Sequence, residues 1–284
     1  GNVLSMTDPN GNQTTYEYDA YNLYPIKITN ALGHETNLSY DYRHGEITTE
    51  IDENGEQRET IYDGFGRVLE EYGPDPKTGA VVLLRSYEYD DTPGAVAVTV
   101  TTYRDDLDTT ASHQYLDGFG RLVQSRTEAE GGFVVVDTVY GAEDTVVAES
   151  LPYHASSATR SAKTTDADLY TTYEYDAKKR VTKAENAVGE TTTIYDGWSE
   201  IVIDPNGNQK TFIHDAYGRL SGVEEENEGT THLTQYIYDA NDNLIEIVDA
   251  NGNTRGITYD LLSRRTELQD LHAPGDNTYA TWQY

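Results

Sequence analysis

The chain has 284 residues and a formal charge of −30, from 20 basic and 50 acidic side chains. Such a chain repels phosphate backbones and anionic lipid, which argues against a nucleic-acid partner. It has no cysteine, so it carries neither a disulfide framework nor a thiolate metal site, and no apolar run approaches the roughly 20 residues of a membrane-spanning helix.

Hydrophobic content is low, 36 %, yet disorder is a poor reading. The 24 tyrosines against 4 phenylalanines, with many Val, Ile and Thr, are not the composition of a disordered chain. Tyrosine offers an apolar face and a hydroxyl that tolerates water, which suits a thin, half-wet sheet.

Along the chain one unit recurs. The first copy opens with an Asp8-Pro9-Asn10-Gly11-Asn12 turn and a threonine-rich strand ending in Tyr16-Glu17-Tyr18-Asp19. Tyr-Asp then returns at Tyr40-Asp41, Tyr62-Asp63 and Tyr89-Asp90, with a degenerate copy at Leu116-Asp117 after Tyr115. Successive aspartates are 22, 22, 27 and 27 residues apart. A period near twenty is one hairpin, two strands of about five or six residues plus two turns. In each Tyr-x-Tyr the two rings lie two apart and share one strand face.

Two kinds of turn alternate. The turn after Tyr-Asp reads Asp63-Gly64-Phe65-Gly66-Arg67 or Asp117-Gly118-Phe119-Gly120-Arg121: the aspartate accepts turn N–H groups and a glycine takes positive φ. The arginine opens the next strand. The other turn, as at Asp52-Glu53-Asn54-Gly55-Glu56, carries Asn-Gly, a strong short hairpin signal. An insertion, Gly73-Pro74-Asp75-Pro76-Lys77-Thr78-Gly79, reads as an extended hairpin loop.

Residues 141–172 break the rhythm. Tyr140-Gly141 is a weak copy, and Leu151-Pro152-Tyr153-His154-Ala155-Ser156-Ser157-Ala158 reads as an irregular excursion with a short helical turn. Repeats resume at Tyr175-Asp176, Tyr195-Asp196, His214-Asp215, Tyr238-Asp239 and Tyr259-Asp260, with Asn-Gly turns at Asp204 and Asp249. No Gly/Ser linker separates the halves, so the expectation is one array over residues 1–284 with an embellishment at about 141–172. No segment holds a helical period, and the chain reads as all-β. Some 22 strands at ~4.8 Å each give a sheet of roughly 100 Å, which twist would coil into a curved, spiralling ribbon. No secretion signal is visible and both ends read as mid-strand, so a fragment of a longer protein is expected, with open sheet edges that invite self-association.

Tyr-Asp-x-x-Gly-Arg, followed after a strand by Asp-x-x-Gly, resembles the signature of the YD-repeat, or RHS-repeat, family. The copies from Tyr62 to Arg67 and from Tyr115 to Arg121, with the Asp-Pro-Asn-Gly turns at Asp8 and Asp204, carry the likeness, which covers nearly the whole chain. The resemblance implies a β-ribbon that spirals into a hollow shell. In bacterial toxin complexes and RHS effectors the shell encloses a C-terminal toxin, in teneurins it is part of an adhesion ectodomain, and other members are secreted or wall-associated. YD repeats have also been linked to carbohydrate binding. Implied here are a partial shell, partners among other segments of the parent chain or its cargo, and a secreted or cell-surface location. One departure stands out: Asp8-Pro9, Asp75-Pro76 and Asp204-Pro205 are internal turns, without the self-cleavage context that ends family shells.

Candidate sites reduce to structure on this reading. The Asp-x-Asn-Gly-Asn loops place oxygens at alternate positions like part of a calcium loop but lack its later bidentate Glu, so turn chemistry accounts for them. Tyrosine pairs fit cross-strand packing better than sugar stacking. Arg67, Arg121 and Arg219 fit pairing with nearby carboxylates better than anion binding. His34, His44, His113, His154, His214, His232 and His272 form no ligand pair, with His214 standing in a tyrosine position. There is no nucleophile turn and no phosphate loop. The expectation is a structural scaffold or shell segment, not an enzyme, with no catalytic, cofactor or metal residues. The rival is a glycan- or protein-binding adhesion module using the tyrosine face or open edges.

Overall fold

The computed structural model describes residues 1–104, 108–227, 229–269 and 281–283. His272 lies outside them. The described residues form an all-β chain of consecutive antiparallel hairpins, with one 3-10 turn at Ala167–Leu169. They divide into two compact units. One is Gly1–Thr138 with Pro152–Thr164; the other is Val139–Leu151 with Thr165–Tyr284.

In the first unit each strand pairs with the next in sequence, from Ser5–Thr7 and Gln13–Tyr18 through Gln57–Tyr62, Val68–Pro74, Val81–Asp90 and Ala97–Tyr103 to Leu122–Ala129 and Gly132–Tyr140. A short strand, Tyr153–Ala155, then pairs with residues 133–135. The second unit opens with Val146–Ser150 on Tyr170–Tyr175 and continues as the same meander to Thr254–Tyr259, Arg265–Gln269 and Thr281–Gln283. Alternation of half-buried and exposed residues, as along Gln13–Tyr18, is the period-two signature of strands with one drier face.

The excursion differs from its expected form. Residues 151–158 contain the strand Tyr153–Ala155, and the helical turn comes later, at Ala167–Leu169. The weak copy at Gly141 is a true turn: Gly141 N–H donates to the Thr145 carbonyl at 2.8 Å, with Asp144 at φ +64°. The expected loop at 73–79 is a tight turn, because the strands run on to Pro74 and restart at Val81. Asp75 N–H donates to the Ala80 carbonyl and closes it.

Burial is sparse. Among the described residues the buried apolar side chains are Val123, Val135 and Ile257. A single sheet has no second layer to bury its face against, so cohesion in the bare repeats has to come from elsewhere.

Candidate functional site

The turns supply part of that cohesion. Asp63 Oδ1 accepts the N–H groups of Phe65 (2.8 Å) and Arg67 (3.0 Å), and Oδ2 accepts Arg67 Nε at 2.7 Å. Asp63 N–H donates to the Arg67 carbonyl, Gly66 N–H donates to the Asp63 carbonyl, and Gly66 sits at φ +82°. The Asn-Gly turns have the same geometry. Asp204 Oδ1 accepts from Asn206 N–H and Asn208 N–H, and Oδ2 accepts Asn208 Nδ2, each at 2.8 Å. Gly207 takes φ +84°, whereas Asn206 is not in the left-handed region. The Asn-Gly turn is therefore a three-residue loop, a type I turn followed by a left-handed residue. Aspartate fastens both rows of turns.

These donors hold the carboxyls below their ordinary range. The Asn208 side chain does so at Asp204, the Arg121 side chain at Asp117, and Arg43 pulls Asp41 down to about 2. Both oxygens of each such aspartate accept N–H groups within its own turn, which leaves them poorly placed as cation ligands. Among the described residues no group of three or more His, Asp or Glu is placed to hold a metal ion.

The tyrosines link successive repeats. In most Tyr-Asp hairpins the register slips at the tyrosine: Ile61 faces Glu70 but Tyr62 faces Val68, so Leu69 is extra. The same bulge occurs at Tyr18, Tyr40, Tyr175, Tyr238 and Tyr259. A bulge disrupts the ladder locally, and the tyrosine of the following repeat hydrogen-bonds to the carbonyl beside it. Tyr40 donates to Pro25 O (3.0 Å), Tyr62 to Ile47 O (3.0 Å), Tyr89 to Val68 O (2.8 Å) and Tyr259 to Leu244 O (3.1 Å). Tyr195 and Tyr238 do the same on Val181 and Leu220.

Among the described Tyr-Asp hairpins, those at Asp90 and Asp196 have no bulge. The repeats that follow them are the ones that lack the tyrosine, at Leu116 and His214. There the backbone N–H groups of Leu116 and His214 donate to Val96 O and Trp198 O, each at 2.9 Å. The degenerate copies thus follow from the geometry of the preceding hairpin.

The arginines span the same step. Arg67 lies over the Tyr89 ring at 4.1 Å and reaches Asp91; Arg219 lies over Tyr238 at 4.7 Å and reaches Asp242; Arg180 lies over Tyr195 at 3.9 Å. Their place is structural, on their own turn aspartates and the next repeat. The paired tyrosines are likewise engaged: Tyr87 and Tyr89 share a face, and their hydroxyls go to Glu71 and Val68 O.

A polar cluster beneath Pro152–Thr164 was not anticipated from sequence. Arg126 is 1 % exposed and Asp137 0 %. Arg126 donates through Nε to Gln124 Oε1 (2.9 Å), through Nη1 to Ser157 O (2.6 Å) and through Nη2 to Ser161 Oγ (2.6 Å). Gln124 Nε2 donates to Asp137 Oδ1 at 2.6 Å, while Tyr153 OH and Thr164 N–H reach Asp137 Oδ2 at 2.9 and 3.0 Å. Lys163 Nζ donates to Thr138 O, and burial pushes its pKa down. These donors and acceptors satisfy one another and pin an irregular strap onto the sheet.

The described histidines are dispersed. His113 Nδ1 meets Thr99 Oγ1 at 2.9 Å beside Phe133, and burial lowers its pKa. His44 packs on Gly66 and His154 on Gly132. His34 N–H donates to Asn30 Oδ1. His232 lines an open hollow of about 850 Å³ with Phe212 and Lys210.

Comparisons agree with this geometry. The RHS Repeat family model matches residues 1–35 and 238–275. A crystal structure of TcdB2-TccC3 shares the fold over 99 % of this chain, at 15 % identity and a TM-score of 0.63. The Photorhabdus luminescens Tc holotoxin pore matches over 95 %, at 13 % identity and a TM-score of 0.65. The chain carries RHS repeats at the two matched segments. It spans 20 % and 22 % of the lengths of those two structures' chains, so the likeness establishes fold. No curated protein matches the chain.

Proposed function

We propose that this array of RHS repeats is a wall segment of a hollow shell in a larger, secreted toxin-associated protein, and that it acts without catalysis. The reading takes residues 1–284 as one array interrupted by the strap. The observation that carries it is the use made of the signature side chains. Tyrosine hydroxyls and arginines are spent on neighbouring repeats and turn aspartates on their own turns, as in a wall and not an exposed recognition face. The likeness to TcdB2-TccC3 and to the Tc holotoxin supplies the toxin context. In the parent protein the partners of this segment are further repeats and an enclosed cargo.

Limited proteolysis of the full-length parent protein tests this. An enclosed segment resists protease until denaturant opens the shell, then is cut quickly. A cargo segment cut at the same rate with and without denaturant, beside an intact array, would contradict enclosure.

A further inference from the structure

The turn at Asp19 departs from its counterparts. Asp63, Asp117, Asp176, Asp215 and Asp260 each pair with an arginine four residues on. Asp19 has Leu23 at that position, and its loop is one residue longer, closing with Asp19 N–H on the Tyr24 carbonyl at 3.0 Å. Of these six aspartates only Asp19 is buried, at 6 % exposure. Its oxygens accept the N–H groups of Tyr21, Leu23 and Tyr24 and the hydroxyl of Tyr42, the last at 2.8 Å. Among the described residues no Lys or Arg pairs with it, and the nearby Arg43 is committed to Asp41.

Tyrosine rings take the space that arginine fills elsewhere. Tyr24 stacks on Tyr40, ring centroids 4.7 Å apart at 16°, as Arg67 lies on Tyr89. Tyr42 stands 5.8 Å from Tyr24 at 60° and 5.9 Å from Tyr21 at 80°. Tyr21 and Tyr42 are open to solvent, 73 % and 52 % exposed. The result is a corner of steeply inclined aromatic faces over a buried negative charge that no side chain neutralises.

We propose that this corner, Tyr21, Tyr24 and Tyr42 over Asp19, binds an alkylammonium cation. Ring faces attract weakly hydrated cations, and walls of several aromatic side chains are a known way to hold quaternary ammonium groups. Sodium and calcium fit poorly, because they need oxygen lone pairs and those of Asp19 already accept four donors. In the other repeats an internal guanidinium supplies the cation. Here it comes from outside the turn.

Tetramethylammonium is the probe, followed by NMR of the tyrosine ring signals of the whole chain. The expected result is a saturable shift of Tyr21 and Tyr42 that sodium does not reproduce. Tyr217, equally exposed on a turn whose Asp215 is paired, should not move. Tyr21→Ala removes an exposed ring without touching the fold and should weaken binding about fivefold, the contribution of one ring. Linear, sodium-like shifts would overturn the proposal. So would equal shifts at Tyr217, or unchanged affinity in Tyr21→Ala.

Discussion

The hairpins at Asp196 and Asp215 are neighbours that both turn at an aspartate, yet they end differently: Asp215 grips Tyr217 and Arg219, whereas Asp196 pairs directly with Ser199. At Asp215 the register slips between Ile213 and His214, and Tyr238 of the next repeat donates to Leu220 O. At Asp196 the strands pair without a slip, and the next repeat carries His214, whose backbone N–H donates to Trp198 O. The difference teaches what the tyrosine is for. It bonds to a carbonyl beside a bulge in the previous hairpin, and it is absent where that hairpin has no bulge. In a repeat protein stability is a sum of units and nearest-neighbour contacts, and this hydroxyl is one such contact.

The largest effect that tests the comparison is acid. Asp117, Asp176, Asp204, Asp239 and Asp249 all have carboxyl pKa values lowered by hydrogen bonds from their turns, and Asp41 falls to about 2. A carboxyl whose folded pKa lies below its unfolded value stabilises the fold above the unfolded value of about 4 and loses that stabilisation as pH falls through the folded one. Circular dichroism should therefore show the array weakening below about pH 4 and unfolding toward pH 2. The bulged hairpins at Asp63, Asp117, Asp176 and Asp215 turn on a carboxylate that accepts at both oxygens, whereas the strands at Asp196 close directly from Asp196 to Ser199, so hydrogen exchange should report the bulged hairpins loosening first. Loosening of the Asp196 hairpin before them would break the comparison.

Next comes the strap. Residues 152–164 cover a patch where cohesion comes from buried polar groups and not from the tyrosine step. Arg126→Met leaves Ser161, Ser157 and Gln124 without their donor and should cost about 3 kcal/mol in urea unfolding. It should also expose the strap to protease. An unchanged midpoint would show that the strap is held elsewhere.

Much of this was legible in the chain and some was not. The Tyr-Asp rhythm and the alternation of turns predict an all-β hairpin array, because strand period and turn residues are local properties. That the Asp63 and Asp204 turns are one geometry was hidden: their residues differ, Gly-Phe-Gly-Arg against Pro-Asn-Gly-Asn, and the shared grip of Asp204 on Asn206 and Asn208 is a matter of three-dimensional placement. The step from Tyr62 to Ile47 joins residues 15 apart across a bulge, and no spacing rule announces a bulge. Arg126, Gln124 and Asp137 look like solvent-facing polar residues in strands. Their burial follows from a strap whose path depends on tertiary packing, though its existence was marked by the broken rhythm at 141–172.

Tyr89→Phe is a smaller test. It removes the hydrogen bond to Val68 O and keeps the ring beneath Arg67. The expected loss is about 1 kcal/mol by urea unfolding. The smallest effect belongs to the exposed turn ring at Phe119, 87 % exposed, where Phe119→Ser should change stability by less than about 0.5 kcal/mol. A loss there as large as at Tyr89 would mean that ring contacts in general, and not the hydroxyl, join the repeats.

The most direct test compares Tyr238→Phe with His214→Tyr by urea unfolding of the same chain. Tyr238 follows a bulge and His214 follows none. The account predicts a loss of about 1 kcal/mol for Tyr238→Phe and no gain for His214→Tyr. A neutral Tyr238→Phe, or a His214→Tyr that stabilises by as much, would contradict the claim that tyrosine serves the bulge of the preceding hairpin.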